Sequence, residues 1–399
     1  MMISILRLSR LRFFSLFLLF LLVGLFPLSV YADGGAPQLA YVAGGTGGVS
    51  IIDIAQWHLA GTITVAGNPH TILLSPDGSA LYVTQPTSGQ VAVIITKTRK
   101  TLCTANLPGQ PSLLALSLDA TVLYVAGQGD TRVRALNPAT CTIQRIFETH
   151  EPVYGLAVAA STAANATPAT PGQLWITGTT SLTVFDVNGQ LQGTLSVAGG
   201  PQYISIPAGF TAYVTTRRGT LVAVDLNTRR VLQTLLTEGK FGPMDYDAIT
   251  GEIYVPDQQR NQLDVLLPVT EGSPTKQQGP VRIFRLSSAP QAVAITNDGQ
   301  FGFVALANGQ VAMLDIPKRS LISSITVGGS PYFIITGLYP PAGNSAASLQ
   351  QAGTTSATSA LFSFFIVLMA LAVALLLGTL LFLWRYNYRK HLTHKTSNR

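Results

Sequence analysis

Charged residues are scarce in this sequence. Only 11% of its 399 residues are Asp, Glu, Lys or Arg. Three of the 25 basic residues lie before position 33 and five lie after position 384, which leaves 17 basic residues in the centre with all 18 acidic ones. The net charge of +7 therefore belongs to the two ends of the chain. We predict no nucleic-acid partner, because nucleic-acid-binding domains have a basic surface of their own.

Cysteine is nearly absent, and the motifs of several common active sites are missing. There are two cysteines, Cys103 and Cys141, and no CxxC, CxxCH or Cys/His cluster. This excludes the usual structural zinc sites and covalently attached haem. G-x-S-x-G, Walker A and HExxH motifs are also missing. We therefore predict no cofactor and no metal site, and we assign no catalytic residue.

Long apolar segments are confined to the two ends. Residues 1–32 combine a basic start with an apolar run over 13–30, and Val30 and Ala32 occupy the −3 and −1 positions of a signal-peptidase site. This pattern predicts a secretory signal peptide. An uncleaved membrane anchor is the alternative. Either interpretation exports the residues that follow.

The C-terminal apolar segment, 361–384, contains no charged residue. As a helix rising ~1.5 Å per residue it would be about 36 Å long, enough to cross a hydrocarbon core of about 30 Å. The basic segment 385–399 is typical of a short cytoplasmic tail. Residues 338–360 are rich in Ser, Ala, Gly and Thr and are expected to form a flexible linker. We therefore expect a single-pass cell-membrane protein with residues 33–337 outside the cell.

The central region repeats one local pattern, an aromatic residue followed by Val or Ile in a short segment of strand-forming residues. The seven aromatics are Tyr41, Tyr82, Tyr124, Trp175, Tyr213, Tyr254 and Phe303. They are spaced 38 to 51 residues apart, and each unit divides into short strands separated by turn-forming residues. A period near 40 with four strands per unit is typical of propeller blades. The sequence predicts an all-β, seven-bladed β-propeller over 33–337.

The two ends of the central region complement each other. The first unit lacks an inner strand, whereas VGGSPYFIITG at 327–337 has an inner strand with no outer three behind it. We therefore predict that N- and C-terminal strands share one blade and close the ring, because closure removes a free sheet edge.

Several repeats carry a wider similarity. The segments are VAGNPHTILLSPDGSALYVTQ, PSLLALSLDATVLYVAG and VGGSPYFI, with SIIDIAQWHLAGTITV for the outer strands. In these segments the chain resembles the YVTN-type β-propeller family, which is related to propeller repeats of some surface-layer proteins. The resemblance covers about residues 38–337 and implies the propeller fold. It does not imply one activity, because such propellers serve many roles.

Two recurring features are expected to be structural. The repeated aromatics are more simply explained as packing between blades than as a ligand cage. The turns at Asp77, Asp119 and Asp298 each contain one acidic residue, which suits a β-turn and not a calcium loop with alternating oxygen ligands.

Cys103 and Cys141 are predicted on or beside outermost strands of adjacent blades. An exported domain favours a disulfide, but outer strands diverge, so bonded and free cysteines both stay open.

The candidate binding site lies on one predicted face. Connections between blades and loops from second to third strand emerge at the same end of a propeller, which we call the top face. It collects His70, Glu148, His150, Glu151, Arg217, Arg218, Asp257 and Arg260. We select His70, His150, Glu151, Arg217, Arg218 and Asp257 as candidate ligand-binding residues. His70 and the segment 148–151 are expected to converge at the starts of neighbouring blades. Ordinary solvated loops are the alternative.

These features favour a binding or scaffold module for an extracellular protein, peptide or glycan. A lactonase-type hydrolase that uses His, acidic and Arg residues of the top face is one alternative. A propeller that docks a cofactor or electron-transfer partner is another.

The strand plan places both ends of the propeller domain on the opposite face, which we call the bottom face. The bottom face is expected to look toward the membrane.

Overall fold

A computed structural model describes residues 39–160, 172–269 and 279–337. Within these ranges the chain forms 28 β-strands and one short 3-10 turn at Pro86–Ser88. The strands group into seven four-stranded antiparallel sheets. The structure therefore confirms the predicted all-β, seven-bladed propeller. Short strands rich in Val, Ile, Leu, Thr and Tyr favour this arrangement, because their side chains pack well on pleated surfaces.

The blades are numbered in chain order. Blade 1 contains β1 (Leu39–Gly45), β2 (Gly48–Asp53), β3 (His58–Thr64) and the last strand, β28 (Phe333–Thr336). Blade 2 contains β4 (Ile72–Leu74), β5 (Ala80–Gln85), β6 (Gln90–Ile95) and β7 (Lys100–Asn106). Blade 3 contains β8 (Pro111–Leu116), β9 (Leu123–Gly127), β10 (Arg132–Leu136) and β11 (Ile143–Glu148). Blade 4 contains β12 (Gly155–Ala159), β13 (Gln173–Thr177), β14 (Ser181–Asp186) and β15 (Leu191–Ser196).

The remaining three blades follow the same plan. Blade 5 contains β16 (Pro201–Ser205), β17 (Thr211–Thr216), β18 (Leu221–Asp225) and β19 (Arg230–Leu236). Blade 6 contains β20 (Asp245–Tyr246), β21 (Ile253–Asp257), β22 (Gln262–Leu266) and β23 (Arg282–Arg285). Blade 7 contains β24 (Pro290–Ile295), β25 (Phe301–Leu306), β26 (Gln310–Asp315) and β27 (Ser320–Thr326).

Blade 1 closes the ring. β28 pairs antiparallel with β1, in the register Ala40 to Thr336 through Ala43 to Phe333. β28 also contacts β4 of blade 2 and β24 of blade 7. The predicted sharing of one blade by the two ends is confirmed. It fastens the ring through backbone hydrogen bonds and covers the edge of β1, which would otherwise be unpaired.

The seven repeated aromatics all lie in the second strand of their blades. They are at most 4% exposed, and Trp175, Tyr254 and Phe303 are fully buried. Each belongs to a buried apolar cluster, and all six of these clusters combine residues of adjacent blades. The aromatics therefore hold blade on blade, as the sequence predicted, and do not form a ligand cage.

The acidic turn residues stabilise the turns between first and second strands. Asp77 accepts hydrogen bonds from the Ser75 hydroxyl at 2.6 Å and from the Ser79 backbone N–H at 3.1 Å. These bonds lower the pKa of Asp77, the Ser75 hydroxyl contributing most. Asp119 and Asp298 repeat the arrangement. Among the described residues no cluster of three or more metal-ligating side chains occurs.

The two cysteines form a disulfide between blades 2 and 3. Cys103 lies on β7, whereas Cys141 lies in the turn that precedes β11. Their Cα atoms are 5.9 Å apart, a separation that suits a disulfide. The divergence of neighbouring outer strands does not separate the cysteines, because Cys141 is in a turn that reaches toward blade 2.

The predicted chain ends lie outside the described residues. These are the signal peptide at 1–32, the first residues of the 33–337 domain, the linker at 338–360, the transmembrane helix at 361–384 and the tail at 385–399. In the ranges that the structure does describe, no helix has the length and apolar character needed to cross a membrane. The membrane topology therefore stays a prediction.

Candidate functional site

The first strands of the blades surround a central channel. Each runs from the top face, where the connections between blades lie, to the bottom face. The channel contains a cavity of about 150 Å³, lined by blades 1 to 6. Its lining residues are His70, Thr71, Leu73, Leu74, Pro76, Leu113, Leu114, Ala115, Leu116, Gln128, Gly155, Leu156, Ala157, Val158, Tyr203, Ile204, Ser205, Ile206, Pro243, Met244, Tyr246, Tyr332 and Phe333.

The cavity wall is mainly apolar. Fifteen of the 23 lining residues are Leu, Ile, Val, Ala, Pro, Met or Phe, and none is Asp, Glu, Lys or Arg. Leu73, Leu113, Leu156 and Ile204 each come from a different blade. An apolar channel wall favours uncharged ligands, because a charged group would lose its hydration there without gaining an ionic partner.

Two tyrosines meet across the upper part of this channel. The hydroxyl of Tyr203, on β16 of blade 5, lies 3.4 Å from the hydroxyl of Tyr332, which immediately precedes β28 of blade 1. Blades 1 and 5 are not neighbours, so this contact crosses the channel. Desolvation raises the pKa of Tyr203 far above its usual range, with a further contribution from Tyr332. The Tyr203 phenol is therefore a neutral hydrogen-bonding group.

His70 packs beside this pair. Its ring centroid is 3.8 Å from that of Tyr332, with the planes tilted by 35°. Its Nδ1 atom lies 3.2 Å from the Ser112 carbonyl oxygen and 3.1 Å from the Thr71 hydroxyl. Because desolvation lowers the pKa of His70 to about 4, the ring is neutral at pH 7.

The contacts of His70 assign its tautomer. The Ser112 carbonyl oxygen can only accept, so Nδ1 carries the proton and donates to it. In a neutral ring Nε2 is then an acceptor. No hydrogen bond to Nε2 occurs in the described part of the chain. The predicted candidate His70 therefore offers one uncommitted acceptor in the channel wall.

The segment 148–151 does not meet His70. His70 precedes blade 2 and residues 148–151 precede blade 4, so the expectation of neighbouring blades was wrong: the four strands of blade 3 lie between them. Glu151 accepts hydrogen bonds from the backbone N–H and hydroxyl of Thr180, each at 3.1 Å. Glu148 pairs with Arg132 at 3.0 Å. His150 is exposed, and nothing among the described contacts joins it or Glu151 to His70.

Arg217 and Arg218 lie on the top face, in the loop between β17 and β18. The Arg217 guanidinium lies over the Tyr154 ring, 4.3 Å from its centroid, and donates to the Thr179 carbonyl oxygen at 2.8 Å. Arg218 is exposed. Neither arginine forms an ion pair with a described residue. Arg217 beside the Tyr154 ring and the exposed Arg218 therefore leave two cations open to an acidic partner.

Asp257 stabilises the loop that follows it. It is fully buried and accepts hydrogen bonds from the backbone N–H groups of Gln259 and Arg260. Its second oxygen accepts from the Arg260 guanidinium at 2.8 Å. Nearby, desolvation and then the charge of Asp257 raise the pKa of Asp264 to about 6. The oxygens of Asp257 are thus engaged within blade 6.

The sequence reasoning missed Tyr154, Tyr203 and Tyr332. A signal for them existed. At the start of four first strands, or just before it, a proline is followed within two residues by a ring-bearing side chain, in Pro-His, Pro-Val-Tyr, Pro-Gln-Tyr and Pro-Tyr. The rings are those of His70, Tyr154, Tyr203 and Tyr332. All four lie at the upper end of the first strands. His70, Tyr203 and Tyr332 also line the channel, whereas Tyr154 lies under Arg217 on the same face.

Comparison with known proteins supports the fold. No protein-family model matches the chain, and no curated protein matches it in sequence. Among solved structures, the periplasmic gluconolactonase PpgL of Pseudomonas aeruginosa is 18% identical, with a TM-score of 0.61 over 75% of this chain and 99% of that one. A functionally unknown protein from Desulfotomaculum acetoxidans is 14% identical, with a TM-score of 0.62 over 74% of this chain and 98% of that one.

A third propeller shows how widely the fold is used. Hydrazine synthase of Kuenenia stuttgartiensis is 15% identical, with a TM-score of 0.57 over 69% of this chain and 90% of that one. At such identities the likeness shows the propeller fold alone, since one fold carries many functions. The relation to the YVTN-type family stays a resemblance.

Proposed function

We propose that this protein is a membrane-anchored recognition propeller whose top face binds an acidic segment of an extracellular protein or peptide. The observation that carries this proposal is the ring-bearing mouth of the channel with Arg217 and Arg218 beside it. Aromatic and arginine side chains supply most of the binding energy at protein interfaces. Unpaired cations attract acidic partners and raise the rate of association.

The position of the chain ends supports this orientation. The backbone N–H of Gly337 donates to the Leu39 carbonyl oxygen at 3.3 Å, so the described chain begins and ends at one place on the bottom face. The apolar segment 361–384 follows that point in sequence. In the proposed arrangement the bottom face looks toward the lipid and the top face looks outward.

Exposed apolar side chains also favour a lipid-facing bottom. Trp57, Phe210 and Ile249 are 46%, 52% and 71% exposed. All three lie in turns at the bottom face. No large hydrophobic side chain in the described top-face loops reaches comparable exposure. Aromatic and aliphatic groups of this kind suit the interface between water and a bilayer.

The test uses the full chain in lipid nanodiscs and a phage-displayed library of random peptides. We expect enrichment of acidic peptides. Their affinity should fall at least tenfold in the R217A/R218A double variant, which removes both cations from the mouth. The matched control is R230A/K318A, which removes two exposed cations from the bottom face and should leave affinity unchanged. Enriched peptides that bind both variants equally, or a preference for glycans over every peptide, would overturn the proposal.

The hydrolase alternative has one point of support, the neutral His70 in the channel wall. A propeller that is also similar in fold, PpgL, is a gluconolactonase. If the full chain hydrolyses members of a lactone panel and the H70A variant does not, the protein is a hydrolase and the recognition proposal is wrong. A coloured purified protein would instead favour the cofactor-docking alternative. We expect neither lactone turnover nor visible absorption.

A further inference from the structure

We propose that the central channel is a binding site for a small, uncharged monocyclic aromatic molecule with one hydroxyl group, a phenol in chemical class. The aromatic ring would occupy the apolar cavity, and the hydroxyl would donate to Nε2 of His70. This inference concerns a ligand inside the channel and does not depend on a protein partner at the top face.

The shape of the cavity sets the size of the ligand. Its volume is about 150 Å³. An apolar protein cavity of about this volume, lined by Leu, Ile and Phe, is known to stay dry and to bind benzene. The apolar part of the wall here includes Leu74, Leu114 and Phe333. A six-membered ring therefore fits the space.

The chemistry of the wall sets the polarity of the ligand. No Asp, Glu, Lys or Arg lines the cavity, so a carboxylate or ammonium group would be desolvated without an ionic partner. An uncharged molecule with an apolar body satisfies this constraint.

The hydrogen-bonding groups set the chemical type of the ligand's polar group. The Nδ1 proton of His70 is engaged by Ser112, which leaves Nε2 as an acceptor. The hydroxyls of Tyr203 and Tyr332 are 3.4 Å apart, a distance that leaves their mutual hydrogen bond weak. A phenol can donate to the histidine, and its ring can stack among the rings at the mouth.

The experiment compares p-cresol with toluene and benzoate by calorimetry, using the full chain in detergent micelles. These probes share one ring and differ in the polar group. We expect saturable binding of p-cresol and weaker binding of toluene, with none of benzoate. H70L should weaken the binding of p-cresol three- to tenfold, which is the effect of one hydrogen bond, and leave the affinity for toluene unchanged.

Two channel-filling variants separate the cavity from partition into micelles. A157F and I204F place a ring where half-buried side chains line the cavity, and each should weaken both ligands at least tenfold. A55F is the control, because Ala55 is exposed in a bottom turn of blade 1, and it should bind like the wild type. Thermal unfolding identifies which filled variant is folded, and that variant is used.

Three results would overturn the inference. They are the absence of saturable binding of p-cresol to the wild type, equal binding of benzoate, and unchanged affinity in the folded channel-filling variant. Failure of the peptide selection described above would leave this outcome unaffected, because R217A/R218A does not alter the cavity wall.

Discussion

The hydroxyls of Tyr203 and Tyr332 lie 3.4 Å apart although 129 residues separate them in the chain. Tyr332 also packs its ring on His70. Ring-bearing residues from blades 1, 2 and 5, which are distant from one another in sequence, thus meet at the mouth of the channel. This relationship converts three separate ring-bearing strand ends into one site.

Removal of either hydroxyl of this pair is expected to have a small effect. Y203F and Y332F should each lower the free energy of unfolding by about 1 kcal/mol or less, because a neutral hydrogen bond has a modest net contribution and this one is long. The double variant should cost no more than the larger single effect, since both changes remove the same contact. Chemical denaturation of the four proteins measures this cycle, and full additivity would show that the two hydroxyls do not interact.

Reduction of the disulfide is expected to destabilise the ring. Cys103 and Cys141 enclose a loop with a sequence separation of 38. Opening such a loop increases the freedom of the unfolded chain, which corresponds to about 2–4 kcal/mol. The C103S/C141S variant should therefore unfold at lower denaturant concentration than the oxidised wild type, with the reduced wild type close to the variant. Identical midpoints with and without reductant would contradict this.

The stability should also depend on pH through Asp245. Desolvation raises the pKa of this carboxyl to about 7, although it accepts a hydrogen bond from the Ile295 backbone N–H at 2.8 Å. The folded state thus keeps the proton to higher pH than the unfolded chain, where an Asp titrates near ~4. This contribution is full below pH 4 and is lost as the pH rises through about 7.

D245N removes this titration and keeps an oxygen that can accept from Ile295. Between pH 5 and pH 8 we expect the melting temperature of the wild type to fall relative to that of D245N. His70 acts in the opposite direction, because its folded pKa of about 4 lies below the usual value. Its contribution is present above about pH 6.5 and declines toward pH 4. The contribution of His70 is common to both proteins and cancels in the comparison. A difference in melting temperature that stays constant from pH 5 to pH 8 would exclude Asp245 as the source of the pH dependence.

The orientation of the propeller can be tested at the two ends of one strand. Thr87 and Thr98 are both exposed and flank β6 at the top and bottom faces. We expect biotin attached to T87C in whole cells to bind a large streptavidin conjugate more readily than biotin attached to T98C, because the bottom face would be close to the lipid. Labelling of both positions by a small maleimide controls for export. Better access at T98C would reverse the proposed orientation.

Much of the fold follows from short-range patterns. The aromatic of each second strand, the single Asp of the turns and the missing inner strand of the first unit are local features, and each had the structural meaning predicted for it. They suffice because a propeller repeats one hairpin-rich unit, whose strands pair with near neighbours in sequence. The signal peptide and the transmembrane segment stay predictions from composition.

The candidate site depended on the tertiary structure. The strand order placed the candidate residues on the top face but did not predict whether they converge. Glu151 hydrogen-bonds to Thr180, Asp257 to the backbone of its own loop, and Arg217 packs on Tyr154. The sequence alone determined seven blades and their closure, since these depend on a local period. Only the closed ring decided that Tyr203, Tyr332 and His70 share one channel, because distances across a ring depend on how all the blades pack and not on any spacing along the chain.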